Sequence, residues 1–174
     1  WHFVYNTARS PELPVLATFY YDLLSATAPT YANGASAPGT FDADLAIAYA
    51  TGRLTAGIDG TITMPQDGTP LVYSFSTGDL SDLSTFVTLN TASSSPFTTN
   101  VYNFTVQSTD SLGECSASTC PVFFNLTVGD AADTVGLNYA LYPLGGDPLD
   151  RIRGAALFGR PDAPDPPPIT AFDP

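Results

Sequence analysis

The side chains able to do covalent or acid–base chemistry are few and scattered. The only histidine is His2. A Ser–His–Asp or Cys–His arrangement therefore lacks a base within the body of the chain. Two thiolates with no nearby His or third Cys cannot complete a tetrahedral zinc site, and a single His excludes a histidine-based zinc or iron site. There is no Lys and no glycine-rich loop, so nothing is built to cradle a phosphate. Asp42 and Asp44 are two residues apart and share a face if their segment is extended. Two carboxylates are the minimum for glycoside hydrolysis, yet this pair reads first as a solvated edge or loop. The residue types predict no catalytic centre and no cofactor.

Cys115 and Cys120 lie in GECSASTCPVFF, with four residues between them. The flanking sequence reads as strand, which places the pair at a hairpin tip. There two Cα atoms can approach to the roughly 4.4–6.8 Å that a disulfide needs. The spacing is not the C-x-x-C of a redox pair. A structural disulfide and two free thiols remain, and the hairpin favours the disulfide. Closing so short a loop stabilises by about 2 kcal/mol, which rigidifies the tip rather than holding the fold. Such a bond implies an oxidising compartment, extracellular or at the cell surface. The chain opens on Trp1 rather than Met, as a mature secreted protein or a trimmed one would.

Charge narrows the partners. Seventeen acids face five bases, giving a net charge of −12, and all five bases are Arg. Nucleic acid and anionic lipid both call for clustered bases, so neither is expected. No apolar run approaches the roughly 20 residues of a membrane helix. Charged residues make up 13% of the chain, about half the usual share of ~25%. Ser and Thr, 36 residues together, carry most of the polarity instead. The partners this surface suits are copies of itself and glycans, either bound or covalently attached.

The elements that must position these residues are strands. Short alternating runs cover Val15–Leu24, Leu45–Ala50, Leu54–Ile58, Thr61–Met64 and Leu71–Thr77. Thr85–Leu89, Val101–Thr109, Val122–Val128 and Gly136–Leu144 follow. Asp59-Gly60 has the composition of a two-residue hairpin turn. Loops are expected at 34–39 and 65–70, and a short helical turn within Asp147–Phe158. Tyr102, Phe104 and Val106 share one face, as do Phe124, Leu126 and Val128, and Leu71, Tyr73 and Phe75. Strands with one apolar and one hydroxyl-rich face predict an all-β fold of two packed sheets. Residues 1–13 form an arm with Trp1, Phe3 and Tyr5 on one face. Residues 14–155 form the domain, and 156–174 an extended Pro/Asp-rich tail.

Three segments, TPLVYSFSTGDL (69–80), YNFTVQSTDSLG (102–113) and FFNLTVGD (123–130), resemble the second half of cadherin-like and other immunoglobulin-like extracellular sandwich repeats. The resemblance covers about a third of the chain and implies an immunoglobulin-like two-sheet sandwich. It also implies calcium ligands, because cadherin repeats bind Ca²⁺ through acidic turns. Asp110, Asp130 and Asp133 fall at such positions, although the other acidic motifs are missing. Asp also caps turns without any metal.

Two sequons, Asn103-Phe-Thr105 and Asn125-Leu-Thr127, place their Asn on the polar faces, where a glycan has room. The aromatic arm with its Pro-containing linker is similar in plan to donor-strand-exchange pilin subunits. Strand addition into a neighbour would generate a fibre. The sequence thus points to a secreted structural subunit of a filament, with Trp1, Phe3 and Tyr5 as subunit contacts. The alternative is an adhesion or carbohydrate-binding module in which Tyr20, Tyr21, Tyr31 or Tyr139 stacks on sugar.

Overall fold

The computed structural model describes residues 14, 16–34, 37–50, 53–91, 101–113, 115, 120–143 and 150–162. Strands β1 (Ala17–Ala26), β2 (Thr30–Tyr31), β3 (Thr40–Ala50), β4 (Arg53–Met64) and β5 (Leu71–Ser76) come first. They are followed by β6 (Val87–Thr88), β7 (Asn90–Thr91), β8 (Val101–Asp110), β9 (Cys120–Val128), β10 (Thr134–Leu141) and β11 (Ile152–Gly159). All belong to one antiparallel sheet, in the order β1-β3-β4-β5-β8-β9-β10-β11, and β11 pairs back onto β1. That last pairing closes an eight-stranded barrel. β2 continues the line of β1 along β11, while β6 and β7 supplement β5 beside β4 and β8.

The immunoglobulin-like sandwich expected from the sequence is therefore not what forms. Alternation shows that each strand has an inner and an outer face, a condition that a sandwich and a barrel both meet. Closure decides between them. β1 pairs with β3 through Ala17–Tyr21, then with β11 through Asp22–Ala26, and the second ladder slips between Leu23 and Ser25. An irregularity of this kind bends a strand and raises its twist. A first strand that hands over from one neighbour to the other joins both ends of the sheet, and no second layer is left.

The expected inner faces are the buried ones: Tyr102, Phe104 and Val106, Phe124, Leu126 and Val128, and Leu71, Tyr73 and Phe75. Their rings fill the barrel. Phe41 stacks on Tyr139 at 4.5 Å and meets Phe158 edge-on at 6.5 Å. Phe124 lies 4.9 Å from Phe104 and 5.4 Å from Phe75. Each buried ring contributes about 1.5–3 kcal/mol through removal of apolar area from water. Rings of this size need small residues beside them, and Ala43, Ala56 and Ala156 occupy inward positions.

Gly60 follows the same logic and overturns a turn assignment. Asp59-Gly60 is not a hairpin tip. Both residues lie inside β4, opposite Asp44 and Ala43 of β3. A Cβ on Gly60 would stand 2.5 Å from the Cβ of Ala43, so this glycine permits close strand approach rather than a turn. β4 accordingly runs unbroken from Arg53 to Met64 where two strands were expected. Ile152–Gly159 is likewise a strand, not a helical turn, so the barrel continues through residues 156–159 before any tail begins. The arm (1–13) and residues 163–174 lie outside the described residues.

The two rims of the barrel differ. β1 enters and β11 leaves at the rim that also holds the β9–β10 turn. There Arg160 lies 4.4 Å above the Phe19 ring and pairs with Asp133 at 3.5 Å and Asp162 at 2.8 Å. In the turn itself Ala131 and Ala132 adopt φ of 51° and 57°, a left-handed backbone that costs alanine about 1 kcal/mol or more each. The Tyr21 hydroxyl donates to Ala132 O at 2.9 Å and holds the turn over the barrel mouth. The opposite rim carries the Cys115–Cys120 disulfide, with Cα atoms 5.3 Å apart.

One interior group is poorly served. The Tyr139 hydroxyl is buried without a hydrogen-bond partner, and burial raises its pKa. An unpartnered buried hydroxyl costs about 1–3 kcal/mol. Tyr139→Phe keeps the ring stack on Phe41 and removes that cost. Chemical denaturation should show the variant about 1 kcal/mol more stable than the parent; a loss of stability would mean the hydroxyl is satisfied.

Candidate functional site

β9, β10 and β11 alternate inner apolar residues with outer polar ones. Phe124 and Leu126 point inward, so Asn125 points out. Leu137 and Tyr139 point inward, so Asn138 and Ala140 point out. Ile152 and Gly154 flank Arg153, which also points out. Register then aligns these outer residues across the strands. Asn90, Asn103, Asn125 and Asn138 are successive partners on β7, β8, β9 and β10. The next row runs Thr105, Phe123, Ala140, Arg153 and Thr30, on β8, β9, β10, β11 and β2.

A groove of about 450 Å³ lies over these rows, lined by Thr30, Tyr31, Asn125, Asn138, Ala140 and Arg153 among others. Asn125 is exposed, while Asn138, Arg153 and Tyr31 are half-buried. The Asn138 Oδ1 is buried with no hydrogen-bond partner. Phe123 flanks the groove in the Arg153 row and is 45% exposed, a large apolar surface to leave in water. Its ring meets Tyr142 edge-on at 5.2 Å, and Arg151 donates to the Tyr142 hydroxyl at 3.3 Å. Amides and a guanidinium thus line the concavity, with an exposed aromatic ring beside it. That set can hydrogen-bond and stack.

The residues singled out from sequence fall elsewhere for the most part. Asp42 and Asp44 do share the outer face of β3, with Asp59 of β4 opposite Asp44. They border a shallow depression of about 250 Å³ on the far side of the barrel from the groove. Asp110 ends β8 at the disulfide rim and accepts from Leu112 N at 2.8 Å and from Cys115 N, which caps the turn. Asp130 and Asp133 belong to the β9–β10 turn at the other rim, the length of β8 away. The calcium candidates are therefore split between the two rims. Among the described residues no group of three or more His, Cys, Asp or Glu could hold a metal. Cys115 and Cys120 form the expected disulfide. Asn103 and Asn125 sit on the outer face as expected, and they turn out to be direct partners on adjacent strands.

Of the tyrosines considered for stacking, Tyr21 and Tyr139 are core residues; Tyr20 is 49% exposed and Tyr31 lines the groove. Trp1, Phe3, Tyr5 and His2 lie outside the described residues. Arg153 and Phe123 were missed. Alternation in VFFNLTV already placed Phe123 outside, which was a usable signal for an exposed aromatic. Arg153 sat in a segment expected to turn helically, so no face could be assigned to it. Among the described residues no helix is long and apolar enough to cross a membrane.

Fold and groove together define a class, an all-antiparallel eight-stranded barrel with a filled interior and a polar, aromatic-flanked outer groove. No family model, curated protein or solved structure matches the chain.

Proposed function

We propose that this protein is an extracellular, non-catalytic recognition module that binds oligosaccharide in the groove over β9, β10, β11 and β2. The observation that carries the reading is a groove lined by paired Asn125 and Asn138 and by Arg153, with the exposed ring of Phe123 beside it on the neighbouring strand position. Planar amides pair with vicinal hydroxyls, and an exposed ring covers the apolar face of a sugar. The filled interior supports an outer site over a ligand held inside the barrel, because inward positions are taken by rings. The disulfide supports placement outside the cell. Strand addition by the arm draws less support from this geometry. Closure uses both ends of the sheet, which leaves little long open edge to receive a donated strand.

A glycan array probed with the whole chain, followed by calorimetry on the hits, tests the reading. Binding should be retained by folded protein and weakened at least tenfold by Phe123→Ala and by Asn138→Leu, with thermal unfolding little changed. Failure to retain any glycan would sink it. Negative-stain images that show long filaments of the purified chain would instead revive polymerisation as its role.

A further inference from the structure

We infer that the oligosaccharide is acidic and that Arg153 takes its carboxylate. The inference rests on the groove being a saccharide site and adds the ligand's charge. The chain has five Arg and a net charge of −12, so each base stands among many acids. The other described arginines are engaged. Arg160 holds both ion pairs found among the described residues and lies on Phe19. Arg53 donates to Thr88 Oγ1 at 2.6 Å, and Arg151 donates to the Tyr142 hydroxyl. Arg153 is half-buried on the groove floor and takes part in neither of those ion pairs. A guanidinium partly removed from water gains most from a bidentate carboxylate.

The distribution of acids agrees. Asp42, Asp44 and Asp59 lie outward on β3 and β4, which are on the opposite side of the barrel from β10. At physiological ionic strength charges more than about 8 Å apart are largely screened, so those acids do little to repel an anion at Arg153. Asp150 is the acid close by in the chain, and Asn33 donates to it at 3.2 Å.

Register sets the dimensions. Phe123 and Arg153 occupy the same row, with Ala140 between them. Two inter-strand spacings of about 4.8 Å set the Phe123 ring, beside the groove, roughly 10 Å from the Arg153 position on its floor. Ala140 keeps that floor low. A uronic-acid residue laid there stacks its apolar face on Phe123 and turns its carboxylate to Arg153. Its hydroxyls then meet Asn125 and Asn138.

Oligogalacturonate and its fully methyl-esterified form share one backbone and differ only in the carboxylate, so together they test the inference. Calorimetry should show the free acid binding at least tenfold more tightly than the ester, with affinity falling as salt is raised. Arg153→Gln should remove that preference, costing the acid far more affinity than the ester, and Arg153→Lys should restore only part of it, because ammonium cannot bind carboxylate in a bidentate fork. If ester and acid bind equally and Arg153→Gln changes neither, the charge assignment falls while saccharide recognition stands. If neither these nor any neutral glycan on the array binds, the recognition reading falls with it.

Discussion

Between pH 10 and about 12 the barrel is expected to unfold cooperatively as its buried tyrosines are drawn into ionising. Burial of Tyr21 pushes its pKa from 10.0 up to about 12, against smaller lowering by the Tyr49 hydrogen bond and Arg160. Burial also raises Tyr49 and Tyr139 above the usual phenol range, with Tyr21 adding to the rise at Tyr49. The Tyr21 and Tyr49 hydroxyls stand 3.1 Å apart, and Tyr21 already donates its proton to Ala132 O. Tyr49 must therefore be the donor to Tyr21, so neither can lose its proton without breaking the chain. The folded state favours the neutral phenols. Below pH 10 native and unfolded chains both keep the proton, and the contribution is full. As pH rises the unfolded chain releases its protons first, and the Tyr21 contribution is gone by about pH 12. A shift of two units is worth about 3 kcal/mol on the scale of one native domain's stability, ~5–15 kcal/mol. Tyr49 and Tyr139 add to it in the same direction. Following tyrosinate absorbance and far-ultraviolet dichroism together should give one shared transition. Ionisation of every tyrosine with the strand signal intact would show that these hydroxyls are not held in the core.

The alkaline transition depends on which tyrosines are inside, and that much the alternation does reveal. In YNFTVQ the inward set Tyr102, Phe104 and Val106 is correct because residues two apart share a face in any strand, whatever the sheet becomes. What alternation leaves open is how the sheet curves. Closure turns on the handover of β1 from β3 to β11 between Tyr21 and Asp22, and nothing in ATFYYDLLSA announces it or the slip that follows between Leu23 and Ser25. Local turn chemistry misleads at Asp59-Gly60 for a related reason. Gly serves a tight turn by tolerating unusual backbone angles and serves a strand by lacking a side chain, and only the contact with Ala43 shows which use applies.

The groove was legible only in part, and hidden as an arrangement. Asn103 and Asn125 were placed on outer faces, and they are outer residues. Their alignment with Asn90 and Asn138 is a matter of register between strands far apart in sequence, and register is set by the whole ladder rather than by any one segment. The same ladder separates Asp110 from Asp133. In sequence they flank one strand and a loop, and in space β8 and β9 carry them to opposite rims. The resemblance that suggested calcium rested on sequence segments that fit a sandwich strand and a barrel strand equally well.

Gly154→Ala is expected to destabilise the barrel by about 2–3 kcal/mol, and Gly154→Val by more. Gly154 faces inward on β11, directly opposite Tyr139 of β10, and the Tyr139 ring lies across the space a side chain would need. An added Cβ would stand 2.1 Å from the Tyr139 hydroxyl oxygen and 2.3 Å from Cζ. An exposed ring would swing aside at little cost. This one is stacked 4.5 Å from Phe41, which in turn lies against Phe75 and Phe158, so displacement is passed to three further rings. A ring laid over a strand glycine also shields that backbone, which is how an aromatic offsets the weakness of glycine in a sheet. The two residues therefore act as a unit, and a double-mutant cycle reads the coupling. Tyr139→Ala should cost about 3–5 kcal/mol by leaving a cavity, but adding Gly154→Ala to it should cost little, because the clash is gone. Urea unfolding of the four proteins gives the coupling energy. Simple additivity, or a Gly154→Ala variant within about 0.5 kcal/mol of the parent, would mean that the ring yields and that the interior is less tightly filled than its contacts imply.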